Sequence, residues 1–428
     1  MDRIKRVHVV GAGLAGLAAS LQLVKAGVDV ALHEAAPQAG GRCRSYFDET
    51  LGCRIDNGNH LVIAGNTAVM TYLGGIDALG TVGGPPDARF DFLDLTSGER
   101  WVVRPNPSRV PWWIFCADRR VPGTTAWDYL RGLRLAWARR DDTVTALLNR
   151  ETALFKRLWE PLAVSALNTD LEEASAASLA RVLRETFGKG GAACRPLAPI
   201  EGLSESLVEP ALKRLRATGS QIRLGSRLRG IEFQDQRASK LVFDQGDEPL
   251  NAGEAAVIAV PPTVATRVVP GLTAPDAFRP IVNAHFRVTA PDDTPLFIGV
   301  IGGATQWVFR KPGVLSVTIS AANGLVDAPA QELAQLIWPE VQRAYDLPVG
   351  PLPPWQIVKE KRATFAATPA QLSRRPKTDT NWENLVLAGD WTDTGLPATI
   401  EGAIRSGFAA ASHLLGGGRT SLMNAHSA

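Results

Sequence analysis

Cysteine is scarce. The chain has four in 428 residues, Cys43, Cys53, Cys116 and Cys194, and none of them forms a CxxC pair. A zinc ribbon or a disulfide scaffold is excluded by that spacing, no metal site is expected, and reduced thiols in the cytoplasm are the default. Long apolar runs are missing too. No stretch reaches the roughly 18 uninterrupted apolar residues of a membrane span. The first thirty residues are apolar, but glycines interrupt them and they enter the fold at once, so they do not read as a signal peptide. There is no internal repeat and no long low-complexity segment. Forty-six basic residues stand against 43 acidic ones, a net charge of +3 with no block of one sign, which gives no argument for nucleic acid. What remains is 45% hydrophobic and 21% charged, ample for two domains with real cores.

The densest signal lies at the start. Val7 to Val10 is a short β-branched run, followed by Gly11-Ala12-Gly13-Leu14-Ala15-Gly16 and an apolar helix that closes at Ala26-Gly27. A second strand, Val28 to His33, delivers Glu34, 18 residues after Gly16. Gly11 permits the tight turn, Gly13 lets the backbone approach a pyrophosphate, and Gly16 lets the helix pack closely on the strand. The helix N-terminus offers free N–H groups to phosphates, and an acid at the end of the second strand suits a ribose diol. Strand, turn, helix, strand and acid in this order predict a dinucleotide-binding unit. Gly40-Gly41-Arg42-Cys43-Arg44-Ser45 and Asp56-Asn57-Gly58-Asn59-His60 come next.

Beyond about Thr67 the nucleotide pattern stops. Arg89 to Leu95 alternates, turns at Thr96-Ser97-Gly98 and returns as Arg100 to Arg104, a hairpin signal. Trp112-Trp113-Ile114-Phe115 fits three uses: core, the lining of a large apolar ligand, or a lip on a membrane surface. Helical spacing links Val144 to Leu162, with Pro161 as a break or kink, and Leu179 to Phe187. A helix from Ser204, its expected cap, ends at Gly219. Short strands are expected at 221–224, 227–233 and 240–243, and the buried run Ala255 to Val260 ends at Pro261-Pro262. Val282–Val288, Leu296–Ile301, Trp307–Arg310 and Val314–Ser320 read as consecutive antiparallel strands. An amphipathic helix capped by Asp327 and kinked at Pro339 follows, then a strand over Trp355–Arg362. Leu385 to Ala388 is a buried strand leading into Gly389-Asp390-Trp391-Thr392 and a C-terminal helix beyond Thr399-Ile400.

Together these segments resemble the FAD-binding oxidoreductases of the amine oxidase and phytoene desaturase type, and the likeness spans nearly the whole chain. Within that group the chain looks most like the squalene-associated branch, the hydroxysqualene dehydroxylases. The residues that carry this are Asp56 to His60, Arg104-Pro105-Asn106, Trp112 to Phe115, Asn283-Ala284-His285-Phe286, Ala363-Thr364-Phe365-Ala366 and the Gly-Asp-Trp-Thr block through Ser406. The resemblance implies an α/β fold. A Rossmann-like FAD-binding domain of the GR2 type (1–66, 196–268 and 378–428) would carry a discontinuous α+β substrate domain on a mixed or antiparallel sheet (67–195 and 269–377).

The resemblance also implies the contacts of the cofactor. Gly11, Ala12, Gly13, Leu14, Ala15 and Gly16 would line the pyrophosphate, with Gly41 and Arg42 beside it, and Glu34 with Ala35 would take the ribose. Asn57, Gly58 and Asn59 would run past the flavin. The Leu228 backbone would lie over the adenine, and Val260 would end the returning strand. Gly389 and Asp390 would hold the ribityl chain. The helix N-terminus at Thr399 and Ile400 would face the flavin edge where negative charge builds on reduction.

The implied reaction is the reductive removal of the hydroxyl of hydroxysqualene, a hydrophobic C30 isoprenoid, to give squalene. NADPH or another reductant would be the electron donor, since no second GxGxxG unit is present. His60 is the candidate proton donor, and a structural hydrogen bond is an equal alternative for it. The implied setting is cytoplasmic, peripheral on the inner face of the cell membrane and in company with the upstream squalene-pathway enzymes. A desaturase of the phytoene type would run the same frame in the oxidising direction. A lipid-escort protein without flavin is a further alternative. An amine oxidase with a flavin linked through cysteine in the C-terminal block is excluded, because that block has no cysteine.

Overall fold

The computed structural model describes residues 4–416. Its first half-turn of chain follows the glycine pattern closely. Strand β1 (Arg6–Val10) feeds helix α1 (Leu14–Lys25), which is buried along nearly its whole inner face, and β2 (Asp29–Glu34) returns alongside β1. Gly16 has no room for a side chain, because a Cβ there would collide with the Gly11 carbonyl oxygen. Five strands make a fully parallel sheet, in the order Gln221–Leu224, β2, β1, Glu254–Ile258 and Leu385–Leu387. Their near-continuous apolar character follows from cover on both faces: α1 and the C-terminal helix Ile400–Leu414 pack on one, and the antiparallel strands Leu228–Gln234 and Arg237–Phe243 with the short helix Pro262–Val268 on the other. Those two helices touch at Gly407, where a Cβ would strike the Ala15 carbonyl oxygen.

A second, seven-stranded sheet runs Trp355–Phe365, Phe278–Phe286, Val314–Ile319, Trp307–Lys311, Phe297–Ile301, Phe90–Asp94 and Arg100–Val103. It contains the expected hairpin at its edge. It is mixed rather than a plain meander. Phe278–Phe286 skips two strands to pair with Val314–Ile319, and Phe297–Ile301 runs parallel to Phe90–Asp94. One face packs on the helix Ala330–Ala344, which buries Leu333, Ile337 and Val341 against Val282, Phe286 and Val317. That helix begins after Pro329, so Asp327 is not its cap; Asp327 pairs instead with Lys361 at 2.8 Å.

Three other local expectations change. The helix expected from Ser204 opens as one wide π-turn, Ser204–Val208, before Glu209–Ala217. Ser204 is no cap, because its hydroxyl accepts the Ser45 N–H at 2.7 Å and ties the hairpin Ser45–Asp56 to this helix. Pro161 does not break its helix: a π-turn at Phe155–Trp159 runs without interruption into Glu160–Leu167, and the proline sits just past that widened turn. Trp112–Phe115 is a single 3₁₀ turn that splits its residues: Trp113 and Ile114 are core, Trp112 and Phe115 face out. No described helix is long and apolar enough to cross a membrane, and all four cysteines are free.

Candidate active site

The carboxyl ends of β1, β2, Glu254–Ile258 and Leu385–Leu387 open on one side of the parallel sheet, and most of the expected site residues gather there. Gly11 has φ +108°, and a Cβ on it would run into the Ala259 carbonyl oxygen, so the turn lies flat against the neighbouring strand end that leads to Val260. A Cβ on Gly13 would meet nothing within 4 Å. The start of α1 therefore has clear space above it, and no side chain caps its first N–H groups at Leu14, Ala15 and Gly16. Gly41, at φ +60°, passes close to Gly13 on the other side of that space. Glu34 lies at its far end, with Oε2 accepting the Ala12 N–H at 2.8 Å and Oε1 the Ala36 N–H at 2.9 Å. Each oxygen keeps a further lone pair. Ala35 is exposed there. The Ser226 N–H donates to the Glu34 carbonyl at 2.8 Å, which brings Leu228 to the same end.

At the opposite end Arg42 joins two parts of the chain. Its Nη2 pairs with Asp390 Oδ2 at 2.7 Å and its Nη1 donates to the Ala363 carbonyl at 2.6 Å. Although Arg42 lies deep in the molecule, its side chain stays 48% exposed because it borders the open slot. The Asp390 charge holds the guanidinium pKa above its ordinary value. Gly389 is pinned by donating its N–H to Ser406 Oγ at 2.8 Å. Thr399 caps the C-terminal helix by accepting the Gly402 N–H at 3.0 Å, which leaves the Ile400 end of that helix facing the slot.

The segment Asn57–His60 crosses between the two sheets. Asn59 Nδ2 donates to Ser316 Oγ at 2.7 Å and to Thr318 Oγ1 at 3.0 Å. Thr318 donates to Asn283 Oδ1 at 2.8 Å, and Asn283 returns to the Asn57 carbonyl at 3.3 Å. Ser316 Oγ lies 2.8 Å from His285 Nδ1. Burial pushes the His285 pKa down to about 3, Lys311 adding to the effect, so the ring is neutral. His285 borders a cavity of about 230 Å³ with Asp56, Glu201 and Lys311. Gly58 rests on the Asn283 amide.

His60 follows directly. Its half-buried ring makes no hydrogen bond among the described residues. Burial lowers its pKa to about 4, and the Lys311 and Arg42 charges push the same way against Asp56.

These features fit FAD. The clear space over Gly13 and the uncapped N–H groups of α1 suit a diphosphate, and Glu34 suits a diol. Asn59 Oδ1 is buried without a protein partner, an acceptor that suits an N–H of an isoalloxazine ring. A family profile described as "Flavin containing amine oxidoreductase" matches residues 14–415. The chain belongs to that family. As a member it is an FAD-dependent oxidoreductase. It is 48% identical over 417 residues to the hydroxysqualene dehydroxylase of Rhodopseudomonas palustris, covering 97% of this chain and 99% of the relative. It is 46% identical over 409 residues to that of Sinorhizobium fredii, covering 95% and 97%. The likeness to the 15-cis-phytoene desaturase of Arabidopsis thaliana is 22% over 463 residues, covering 94% and 78%. Among solved structures, cyclohexylamine oxidase from Brevibacterium oxydans superposes with a TM-score of 0.69 at 18% identity, covering 97% of this chain and 99% of that one.

Several residues at the site escape a sequence reading of roles. Arg375 is largely buried and gathers the carbonyls of Asp390, Thr392 and Leu396 with the Thr394 hydroxyl, so one guanidinium holds the whole loop after Gly389. Glu401 accepts the Ala68 and Val69 N–H groups at 3.1 and 2.9 Å and thereby caps the helix Thr67–Gly75. Arg405, by contrast, has the structural role that the sequence favours for it, and bridges Glu401 and Glu185. Nothing periodic marks such partners, which lie up to 333 residues apart.

Proposed function

We propose that this protein removes the hydroxyl of hydroxysqualene reductively to give squalene. The observation that carries the reading is the full-length likeness to hydroxysqualene dehydroxylases. We assign the FAD-binding unit to 1–66, 196–268 and 378–428 and the substrate unit to 67–195 and 269–377. In support, every strand of the parallel sheet falls in the first set and every strand of the seven-stranded sheet in the second. The outermost parts of the first set, 1–3 and 417–428, lie outside the described residues.

The overall change replaces a C–OH bond by C–H: the alcohol takes up a hydride and a proton and releases water. When bound and already reduced by the electron donor, FAD would supply the hydride and its two electrons. The chain would supply the rest. The N-termini of α1 and of the C-terminal helix, with Glu34, hold the diphosphate, the flavin edge and the ribose. Arg42, beside the diphosphate, braces Asp390, which holds the ribityl chain, and Asn59 orients the ring. His60, free of other hydrogen bonds, brings the proton to the departing oxygen. Leu61 packs against an aromatic cluster that includes Phe90, Trp113, Phe297 and Phe309, which supports a dry wall for a C30 chain. Excluding water there protects a cationic carbon from recapture. NADPH or another reductant would reach the flavin through the substrate opening. The protein would work as a peripheral protein on the inner membrane face, beside the enzymes that make its substrate.

The test is anaerobic. Enzyme with chemically reduced flavin is mixed with hydroxysqualene; recovery of the oxidised flavin spectrum with squalene as product is expected. Failure to reoxidise, with bleaching of the oxidised enzyme by a more saturated polyprenoid, would replace this reading by a desaturase.

A further inference from the structure

Exposed large apolar side chains are unevenly placed. Of the thirteen among the described residues, six lie between positions 110 and 137: Val110, Trp112, Phe115, Trp127, Leu133 and Trp137. Trp127 and Trp137 are 72% and 76% exposed, far beyond the lone surface apolar residue that needs no account. All of the six but Val110 stand on three short elements, Trp112–Phe115, Ala126–Arg131 and Gly132–Trp137, which pack on one another from within. Trp113 and Tyr129 meet edge to face at 5.1 Å, and the Tyr129 hydroxyl accepts the Val121 N–H at 2.9 Å. Each element thus buries one side and turns its remaining large residues outward.

The same stretch is strongly basic. Residues 104–140 hold eight arginines against Asp118 and Asp128, a surplus of six positive charges in a chain whose net charge is only +3. The remainder of the chain is therefore net acidic, and the dispersed charge of the whole sequence conceals one cationic segment. Arg119 lies over the Trp112 ring at 4.9 Å. Asp141 and Asp142 follow, but Asp142 is engaged in accepting the Arg139 N–H at 2.7 Å.

We infer that this platform docks on an anionic phospholipid bilayer. Tryptophan is favoured at the interface between headgroup and acyl chain, and arginines near it are drawn to an anionic leaflet. A bilayer is favoured over a protein partner by what lies behind the platform. Trp113, Ile114 and Tyr129 belong to the aromatic cluster that Leu61 joins next to His60, so apolar packing continues from the platform to the site. The direction of that path matters only if the substrate is a membrane hydrocarbon, and to that extent the inference rests on the proposed function.

The experiment uses FAD-loaded full-length protein and no substrate, so a failure of vesicle binding and a failure of hydroxysqualene turnover are read separately. Flotation with phosphatidylcholine vesicles, with and without phosphatidylglycerol, should show binding that needs the anionic lipid and weakens with salt. Each arginine near the leaflet is worth about fivefold, so Arg134→Gln with Arg140→Gln should weaken binding about 25-fold. Trp127→Ser with Trp137→Ser should abolish the blue shift of tryptophan emission on vesicles while melting temperature and flavin content stay at wild-type values. Absence of binding at low salt, or binding indifferent to both double variants, overturns the inference. So does a wild-type dimer that Trp127→Ser with Trp137→Ser dissolves without any vesicle binding, which would make the platform an interface between copies.

Discussion

Gly13 and Gly16 sit three residues apart and separate two demands. Gly16 is needed by the fold: a Cβ meets the Gly11 carbonyl oxygen and crowds Val9 at 3.3 Å. Gly13 has ordinary extended backbone, φ −74°, and open space over it, so its lack of a side chain serves only what lies above. Gly16→Ala should therefore destabilise the flavin-free protein by roughly 1–3 kcal/mol in urea unfolding. Gly13→Val should leave that stability intact and strip the flavin. Glu34→Ala should weaken FAD by about ten- to a hundredfold, the loss of one charge-assisted hydrogen bond. Full flavin retention by Glu34→Ala through dilute gel filtration would remove the ribose assignment.

His60 carries a prediction in pH. With a pKa of about 4, only about one ring in a thousand is protonated at pH 7. If that form delivers the proton, flavin reoxidation by hydroxysqualene should slow about tenfold for each pH unit above the pKa. A negative charge bound beside the ring would move the onset of this slope upward without changing its sign. His60→Gln should lose the slope and about 10²–10⁴ of the rate, with flavin content unchanged. A slope that survives in His60→Gln would assign the proton to another donor.

Among the elements, the hairpin Ser45–Asp56 ties the helix that opens at Leu203–Ser204 to the second sheet. Asp56 accepts the Leu203 N–H at 2.9 Å and pairs with Lys311 on the strand Trp307–Lys311 of the second sheet. Burial alone would raise the Asp56 pKa, but Lys311, the Leu203 N–H and Ser45 outweigh it and hold the value below normal. The stabilising contribution is thus complete above the unfolded value near about 4 and drains away as pH falls through the lower folded value. Lys311→Met should cost about 3–5 kcal/mol by stranding a buried carboxylate, and adding Asp56→Asn should recover part of it. Additive losses in denaturant titration would mean that the two do not interact.

How far these elements were readable depends on the range of the forces that made them. β1, α1 and β2 are determined by local spacing and a glycine turn, and they stand where the pattern places them. The strands of the second sheet are equally legible one by one. Their order is not, since the parallel contact of Phe297–Ile301 with Phe90–Asp94 joins segments about 200 residues apart. Caps failed for the same reason. Ser204 and Asp327 have the right chemistry for a helix start, but tertiary partners, Ser45 and Lys361, claim them. The site was legible where glycines and one acid carry the chemistry. Its Asn59–Ser316–His285 network and the clamp of Arg375 were not, because hydrogen bonds between distant polar side chains leave no period.

Taken as a whole, the molecule meets itself around one slot. The stretch Gly11–Gly16, the arginine at 42, the segment Asn57–His60 and the loop Gly389–Ile400 all border it, and Ala363 reaches it from the second sheet. A ligand there binds the folded state alone. At a hundred times its dissociation constant FAD should add about 2.7 kcal/mol of stability. The gain should be uneven, because the border segments are loops and helix ends, whereas strands such as Val314–Ile319 are wholly buried and fully paired without the cofactor. Hydrogen exchange should therefore quicken at 40–44, 57–61 and 389–400 when FAD is removed, while 282–286 and 314–319 keep their protection. Uniform quickening across both sheets would instead mean that the cofactor organises the entire fold, and that the second sheet has no independent stability on which a substrate site could rest.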